Sequence, residues 1–319
     1  MTDYKGPTRW RWVLDDAQGN FLADADVQLV DSSREYRGFL EPGRYINDQR
    51  PIVPAAELLA RLGSWIGEQV FGGLREKLSQ AAALPAQAVR LIVPQGAQEP
   101  LFRPFELACF ATGKSFREAG IRFVYSLEGK DRKSQTEPTG PSLRILAVFS
   151  LPVQTNPLNL RRERYGLQQL VKDLNRTSGR AVELRVIQYG ATRLTLEDAL
   201  QEAEGWDVIH LSGHGTEGAL LLEDERGRND QIDSDALGDL LELARARLKL
   251  LILDACYTGA GTHAAARRLV GLDDGPQRDL ETAEQAGAAE AATRLPSLAQ
   301  QLSHRLDCAA LAMRYPVGD

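Results

Sequence analysis

The sequence predicts an α/β protein built on a mostly parallel sheet with helices on both faces. Three observations carry that expectation. From residue 143 onward, short apolar runs alternate with helical patterns, the signature of successive βα units. Several runs are near-continuously apolar, as strands buried on both faces must be: VIHL at 208–211 and LLIL at 250–253. Two of these runs end in glycines beside a residue capable of chemistry, SGHG at 212–215 and DACYTGAG at 254–261. Active-site residues of a parallel sheet gather where its strands end.

The elements follow in order. RWRWVL (9–14) and ADVQLVD (25–31) flank a turn-like DDAQGN and read as a hairpin. Residues 54–83 carry Leu58, Leu59, Leu62, Trp65 and Ile66 at helical spacing, with a break at Gly72-Gly73. VRLIVP (89–94) and IRFVYSL (121–127) read as strands, and RPFELACF (103–110) between them as a short apolar helix. Residues 128–142 are polar, with two prolines and two glycines, and read as a linker. The regular part then runs strand 143–150, helix 159–174, strand 182–188, helix 195–204 with Thr195 and Asp198 as a capping box, and strand 206–212. A hairpin (219–230), helix 234–246, strand 249–255 and strand 308–314 complete it. The stretch 271–296, rich in Asp, Glu, Ala and Gly, reads as a mobile, regulated loop with partial helix. No repeat of solenoid period occurs.

The 319 residues allow one large domain or two ordinary ones, and the linker divides them into 1–140 and 141–319. A net charge of −6 gives no reason to expect nucleic acid or an anionic membrane as partner. No apolar run approaches the roughly 20 residues that span a bilayer, and the first residues lack a signal-peptide core. Three cysteines, at 109, 256 and 308, form no metal spacing and no disulfide framework. The expectation is a cytoplasmic protein with free thiols and no metal or cofactor.

The chemistry converges on His214 and Cys256. A cysteine nucleophile needs a thiol poised to ionise, an acid/base partner, and donors for the oxyanion. Cys256 follows a strand and precedes a glycine turn that would open a helix, whose N-terminus favours a thiolate. His214 lies between Gly213 and Gly215, expected to leave open space for substrate. The backbone amides of Gly215 and Cys256 are the natural oxyanion donors. The separation, 256 − 214 = 42 residues, holds a hairpin, a helix and a strand, enough to set two parallel strands side by side. A phosphatase loop is excluded because position 262 is Thr where Cys-x5-Arg needs Arg. ATGKS (111–115) is no P-loop because position 108 is Ala.

Together, HLSGHG (210–215) and LILDACYTG (251–259) resemble the His-Gly and Asp-x-Cys-x-x-Gly boxes of clan CD cysteine peptidases, among them caspases, metacaspases, separases and gingipains. Within that clan the chain is similar to the CHAT peptidases. LFRPFELACF (101–110) resembles a segment of their N-terminal half, and AALAMRYPVGD (309–319) their strand after the Cys loop. The resemblance implies a caspase-like three-layer sandwich preceded by a degenerate α+β companion half-domain. It implies a Cys256–His214 endopeptidase acting on a protein substrate, needing no metal. It also implies a bacterial-type effector of a regulated system, anti-phage defence included, working with a regulatory partner or fused C-terminal modules. Helices normally follow the segment matching RYPVGD, so a sequence ending at Asp319 reads as a piece of a longer protein.

For substrate recognition, Asp254 shares a strand face with Cys256. It matches the metacaspase residue that helps bind a basic P1 side chain; the alternative is a carboxylate holding a loop. Asp319 matches the acid that grips P1 Arg in separases; the alternative is an ordinary loop Asp. Both favour Arg or Lys at P1, with Arg278 and Arg294 as conceivable self-cleavage sites. His210, inside the apolar run, reads as core or as support for the site. His263, His304 and Glu217 read as solvated, Cys109 and Cys308 as core. Two rival functions remain, a catalytically silent caspase-like scaffold and a non-proteolytic thiol acyltransferase.

Overall fold

The computed structural model of the protein describes residues 1–49, 52–82, 88–94, 99–127, 140–153, 155–179, 181–216, 218–256 and 297–313. They fall into two compact units, one holding the described residues up to 127, the other those from 140.

In the first unit, β1 (Arg9–Asp15) and β2 (Phe21–Gln28) form the expected antiparallel hairpin. The Asp16 carboxylate fixes its turn by accepting the N–H groups of Gln18 and Asn20. Helices α1 (Arg34–Leu40) and α2 (Pro42–Gln49) follow, which periodicity did not reveal. Both are under three turns long; their signals are local ones, the Ser33 cap on the Tyr36 N–H and Pro42 at a first helical position. Next come α3 (Ala55–Trp65), a π-helical turn at Ile66–Val70, and α4 (Leu74–Ala82), broken at the expected glycines. β3 (Ala88–Val93) and β4 (Arg122–Leu127) pair in parallel. The helix expected over 103–110 is absent. Two 3₁₀ turns, Glu99–Phe102 and Phe105–Leu107, flank Pro104 instead, since a proline disfavours helical geometry in the residue before it. The core is aromatic, with the Phe71 ring against Trp12, Phe105, Phe116 and Phe123 at 5.2–6.0 Å.

The second unit is the regular α/β part. Its strands are β5 (Ser142–Phe149), β6 (Ala181–Gln188), β7 (Val208–Ser212), β11 (Leu250–Asp254) and β12 (Ala309–Ala312), in the order β12-β11-β7-β5-β6 and all parallel. Helix α5 (Leu160–Thr177) covers one face, packing Leu160, Leu167 and Val171 near Ile145, Ala147 and Phe149. Helices α6 (Arg193–Leu200), α7 (Ser234–Leu241) and α8 (Leu298–Leu306) cover the other. There they bury Leu146, Val148, Ile209, Leu211, Leu251 and Leu253 in an aliphatic core around Trp206. Between β7 and α7 lies a small antiparallel sheet of β8 (Gly215–Thr216), β9 (Ala219–Glu223) and β10 (Asn229–Asp233), which contains the expected hairpin.

The cap of α6 differs from expectation. Thr192, in extended conformation, accepts the Thr195 N–H and starts the helix at Arg193, so Thr195 and Asp198 lie inside it. Beneath the sheet, the fully buried Asp207 accepts Arg247 Nη2 at 2.7 Å, Lys249 Nζ at 2.9 Å and the Arg144 N–H, tying together the starts of β5, β7 and β11. Of the predicted linker, 128–139 lies outside the described residues and Ser142 already belongs to β5. Among the described residues no helix is long and apolar enough to cross a membrane.

Candidate active site

The site grows from strand register. β7 and β11 pair in parallel with Ser212 opposite Asp254. His214 and Cys256 each lie two residues beyond that last pair. Both are half-exposed at the sheet's carboxyl edge. The two strand ends lie close together. Gly213 N–H donates to Asp254 O at 3.2 Å. A Cβ added to Gly215 would lie 2.3 Å from Cys256 O, and one on Gly213 would lie 2.6 Å from Ser150 O. The two glycines flanking His214 therefore do not leave open space, contrary to the sequence reading. They let three strand ends approach closely enough to share one edge.

His214 is oriented by Asn156, in the loop after β5, whose carbonyl accepts from Nε2 at 2.7 Å. A carbonyl only accepts, so Nε2 carries the proton and Nδ1 of the neutral ring carries the lone pair. No hydrogen bond joins His214 to Cys256 among the described residues, which is usual before substrate tightens a site. The helix expected to begin after Cys256 lies outside the described residues, as do Asp319, Glu217, His263, Arg278, Arg294 and the whole 271–296 segment.

One row down the same face lies a polar cluster that the sequence reading only touched. Glu163, in the first turn of α5, accepts His210 Nε2 on Oε1 at 2.6 Å and Ser212 Oγ on Oε2 at 2.6 Å. It also meets the Asp254 carboxyl. One donor-type atom from each of Glu163, His210 and Asp254 lies within 4.8 Å of the others. These are metal-ligand types, but the His210–Glu163 bond is already closed, and a cation would have to separate the pair. Burial pushes the Glu163 carboxyl up, yet the bonds from His210, Ser212 and Asp254 outweigh it and hold it below the usual carboxylate range. Asp254 thus faces a second carboxyl across the sheet surface.

Glu163 and Asn156 were missed by sequence reasoning. A signal was present: His210, Ser212 and His214 alternate on one strand and so share a face. The helix after β5 starts at the same edge, putting its first acidic residue over that face. The other thiols stay in the core as expected. Burial raises the Cys109 thiol, with the Glu118 charge a smaller cause. Burial chiefly, then Asp307, raises Cys308 to about 11. His304 is exposed on α8.

A parallel sheet sandwiched by helices, with a His and a Cys at the ends of neighbouring strands, is the layout of a caspase-like domain. The sequence model of the CHAT domain matches residues 61–278, a span that includes both His214 and Cys256. The chain belongs to the CHAT-domain family, a caspase-like branch of the clan CD peptidase superfamily. None of the curated proteins matches it.

Proposed function

We propose that the chain is a cysteine endopeptidase that cleaves a protein substrate after a basic P1 residue. The supporting observation is that β7 and β11 are parallel neighbours with Ser212 opposite Asp254, so that His214 and Cys256 each lie two residues beyond the paired strand ends. His214 takes the Cys256 thiol proton, and the thiolate attacks the scissile carbonyl carbon, forming a C–S bond as the carbonyl π pair moves onto oxygen. The His214 imidazolium gives its proton to the leaving amine as the C–N bond breaks. Water, deprotonated by His214, then hydrolyses the thioester. The oxyanion sits against the amides of Gly215 and Cys256. Ladder alternation favours this, because His214 and Leu221 form a hydrogen-bonded pair, which turns the next N–H, that of Gly215, away from β9.

Asp254 and Cys256 are two residues apart on one face, about 6–7 Å at strand spacing, close to the reach of a Lys or Arg side chain. A P1 cation would there meet two carboxyls and the Ser212 hydroxyl. Charge-assisted hydrogen bonds of that kind have no neutral substitute.

The test is covalent labelling by acyloxymethyl ketones with Lys, Arg, Leu or Asp at P1. Labelling of Cys256 by the basic probes, absent from Cys256→Ala, is expected. Peptide turnover surviving in Cys256→Ala would sink the peptidase reading. A profile led by Asp or Leu would sink the basic pocket.

A further inference from the structure

The pocket contains a residue that neither attacks nor carries the charge a P1 cation needs. His210 is buried, 9 % exposed, one row below Ser212 and two below His214 on the same face. Its ring packs against Phe149 at 5.8 Å, which fixes its plane. Its Nε2 ends on Glu163 Oε1. Because Glu163 is ionised and a carboxylate only accepts, the His210 Nε2–H is the donor.

Glu163 has freedom to leave this position. Its side chain is still 29 % exposed, so rotation towards water is open to it. Three contacts oppose the turn, the Ser212 bond to Oε2, the His210 bond to Oε1 and the hydrogen bond with the Asp254 carboxyl. The Ser212 bond stands one row nearer the sheet's carboxyl edge than the His210 bond, so the buried His210 is the anchor further from that edge.

We propose that His210 is the positioning residue of the P1 pocket. It anchors one oxygen of Glu163 so that the other, together with Asp254, faces the P1 cation. This rests on the peptidase reading above and adds to it the origin of selectivity: a basic side chain is preferred because His210 keeps the Glu163 carboxylate in place beside Asp254. His210 acts through Glu163 and touches neither the scissile bond nor the thiol.

The experiment measures second-order labelling of Cys256 in the full chain with three reagents: a Lys acyloxymethyl ketone, its Leu counterpart, and iodoacetamide. It uses wild type, His210→Phe, His210→Gln, Glu163→Gln and the double variant His210→Phe/Glu163→Gln. His210→Phe is expected to lose about 10- to 100-fold with the Lys probe, as loss of a charge-assisted hydrogen bond implies. The loss should fall in KI and not in kinact, with the Leu probe and iodoacetamide unchanged. His210→Gln keeps an N–H donor and should restore most of the selectivity. In the Glu163→Gln background His210→Phe should cost nothing further.

A wild type selective for Lys whose selectivity survives His210→Phe overturns the proposal, as does an additive double variant. Equal loss with iodoacetamide also overturns it, because His210 would then support the thiol itself. A wild type that ignores the Lys probe while iodoacetamide still labels Cys256 fails the basic-pocket reading and the proposal with it. If His210→Phe does not fold, His210→Gln decides: retained Lys-over-Leu selectivity supports the proposal, and its loss overturns it.

Discussion

Each unit holds a parallel strand pair, an apolar core and a cysteine beside closely packed glycine, yet among the described residues the candidate site lies in the second. In the first unit Cys109 lies at a loop pressed against α3, where a Cβ on Gly63 would meet Leu107 O at 2.3 Å and one on Gly67 would meet Cys109 O at 1.9 Å. Its thiol is buried and raised. In the second unit Cys256 lies two residues beyond the end of β11, half-exposed, and the glycines crowd neighbouring strand ends instead of a helix. The flanking strands differ as well. β3 and β4 end in the apolar Val93 and Leu127, whereas β7 and β11 end in Ser212 and Asp254 under a helix with Glu163 in its first turn. What sets the proposed nucleophile apart from Cys109 is thus less the residue than the polar strand ends beside it and the polar helix start that covers them.

The sharpest break of this comparison is thiol reactivity. The thiolate is the nucleophile, and at pH 8 a thiol of pKa about 11 is ionised to roughly one part in a thousand. Iodoacetamide should therefore label native Cys256 and spare Cys109 and Cys308 until the protein is denatured, read by peptide mass mapping. Cys256→Ala should abolish peptide cleavage and His214→Ala should cost at least about 10³-fold, because the two act as a unit. Cys109→Ala and Cys308→Ala should keep turnover if they fold. Native labelling of Cys109 as fast as of Cys256 would erase the distinction.

How much of this was legible follows the same line between the units. In the second unit, burial on both faces imposes continuous apolar runs, so β7 and β11 could be read directly and their ends located His214 and Cys256. In the first unit the helices α1 and α2 are short and held by caps and tertiary packing, which periodicity does not record. Pro104 broke a helix that hydrophobicity alone suggested over 103–110. Glu163 escaped because its role depends on which helix covers which strand end, a tertiary relation. The glycines beside His214 were noticed but misread, since close approach of Ser150 and Cys256 backbones has no sequence signature other than glycine itself. The Thr192 cap was displaced by three residues because Thr-x-x-Asp and Thr-x-x-Thr compete locally.

Next in size is the acidic row. Asp254→Asn should lower kcat/KM for Lys and Arg substrates by about 100-fold, mainly through KM, and narrow the gap to neutral P1 residues. The first unit offers the control: Glu118 bonds only Ser115 among the described contacts and supports no strand end. Glu118→Gln should leave the P1 profile unchanged. Peptide-library profiling of both variants decides whether acidity at the strand ends matters.

A third contrast is stability. The second unit has a buried charge under its sheet, the first an aromatic core. Burial works to raise the Asp207 carboxyl, but Arg247, the Arg144 N–H and Lys249 outweigh it and hold it below the usual range. A carboxyl with a lowered folded pKa contributes its full stability above the unfolded value of about 3.9, and loses it as pH falls through the folded value. Asp207→Asn should cost roughly 3–5 kcal/mol at pH 7, because Arg247 and Lys249 lose their counter-charge. The gap between mutant and wild type should close as pH falls through the lowered folded value of Asp207. Denaturant titration at several pH values checks this, and a mutational cost independent of pH would contradict it.

The smallest effect separates the two uses of close-packed glycine. Gly67→Ala places a Cβ against Cys109 O, so one strand of backbone must shift. Helix propensity would return about 1 kcal/mol, but overpacking of this kind costs about 1–3 kcal/mol, and backbone atoms cannot rotate aside. The net expectation is a modest loss of stability in the first unit with the Cys256 labelling rate unchanged. Gly215→Ala makes a similar clash with Cys256 O. There the displaced backbone carries the proposed nucleophile and oxyanion donor, so the same modest instability should come with a large loss of turnover. Thermal unfolding and iodoacetamide kinetics on both variants separate the cases. If Gly215→Ala lost no more activity than Gly67→Ala, the tight junction of strand ends would be packing alone, and the proposed pairing of His214 with Cys256 would not depend on it.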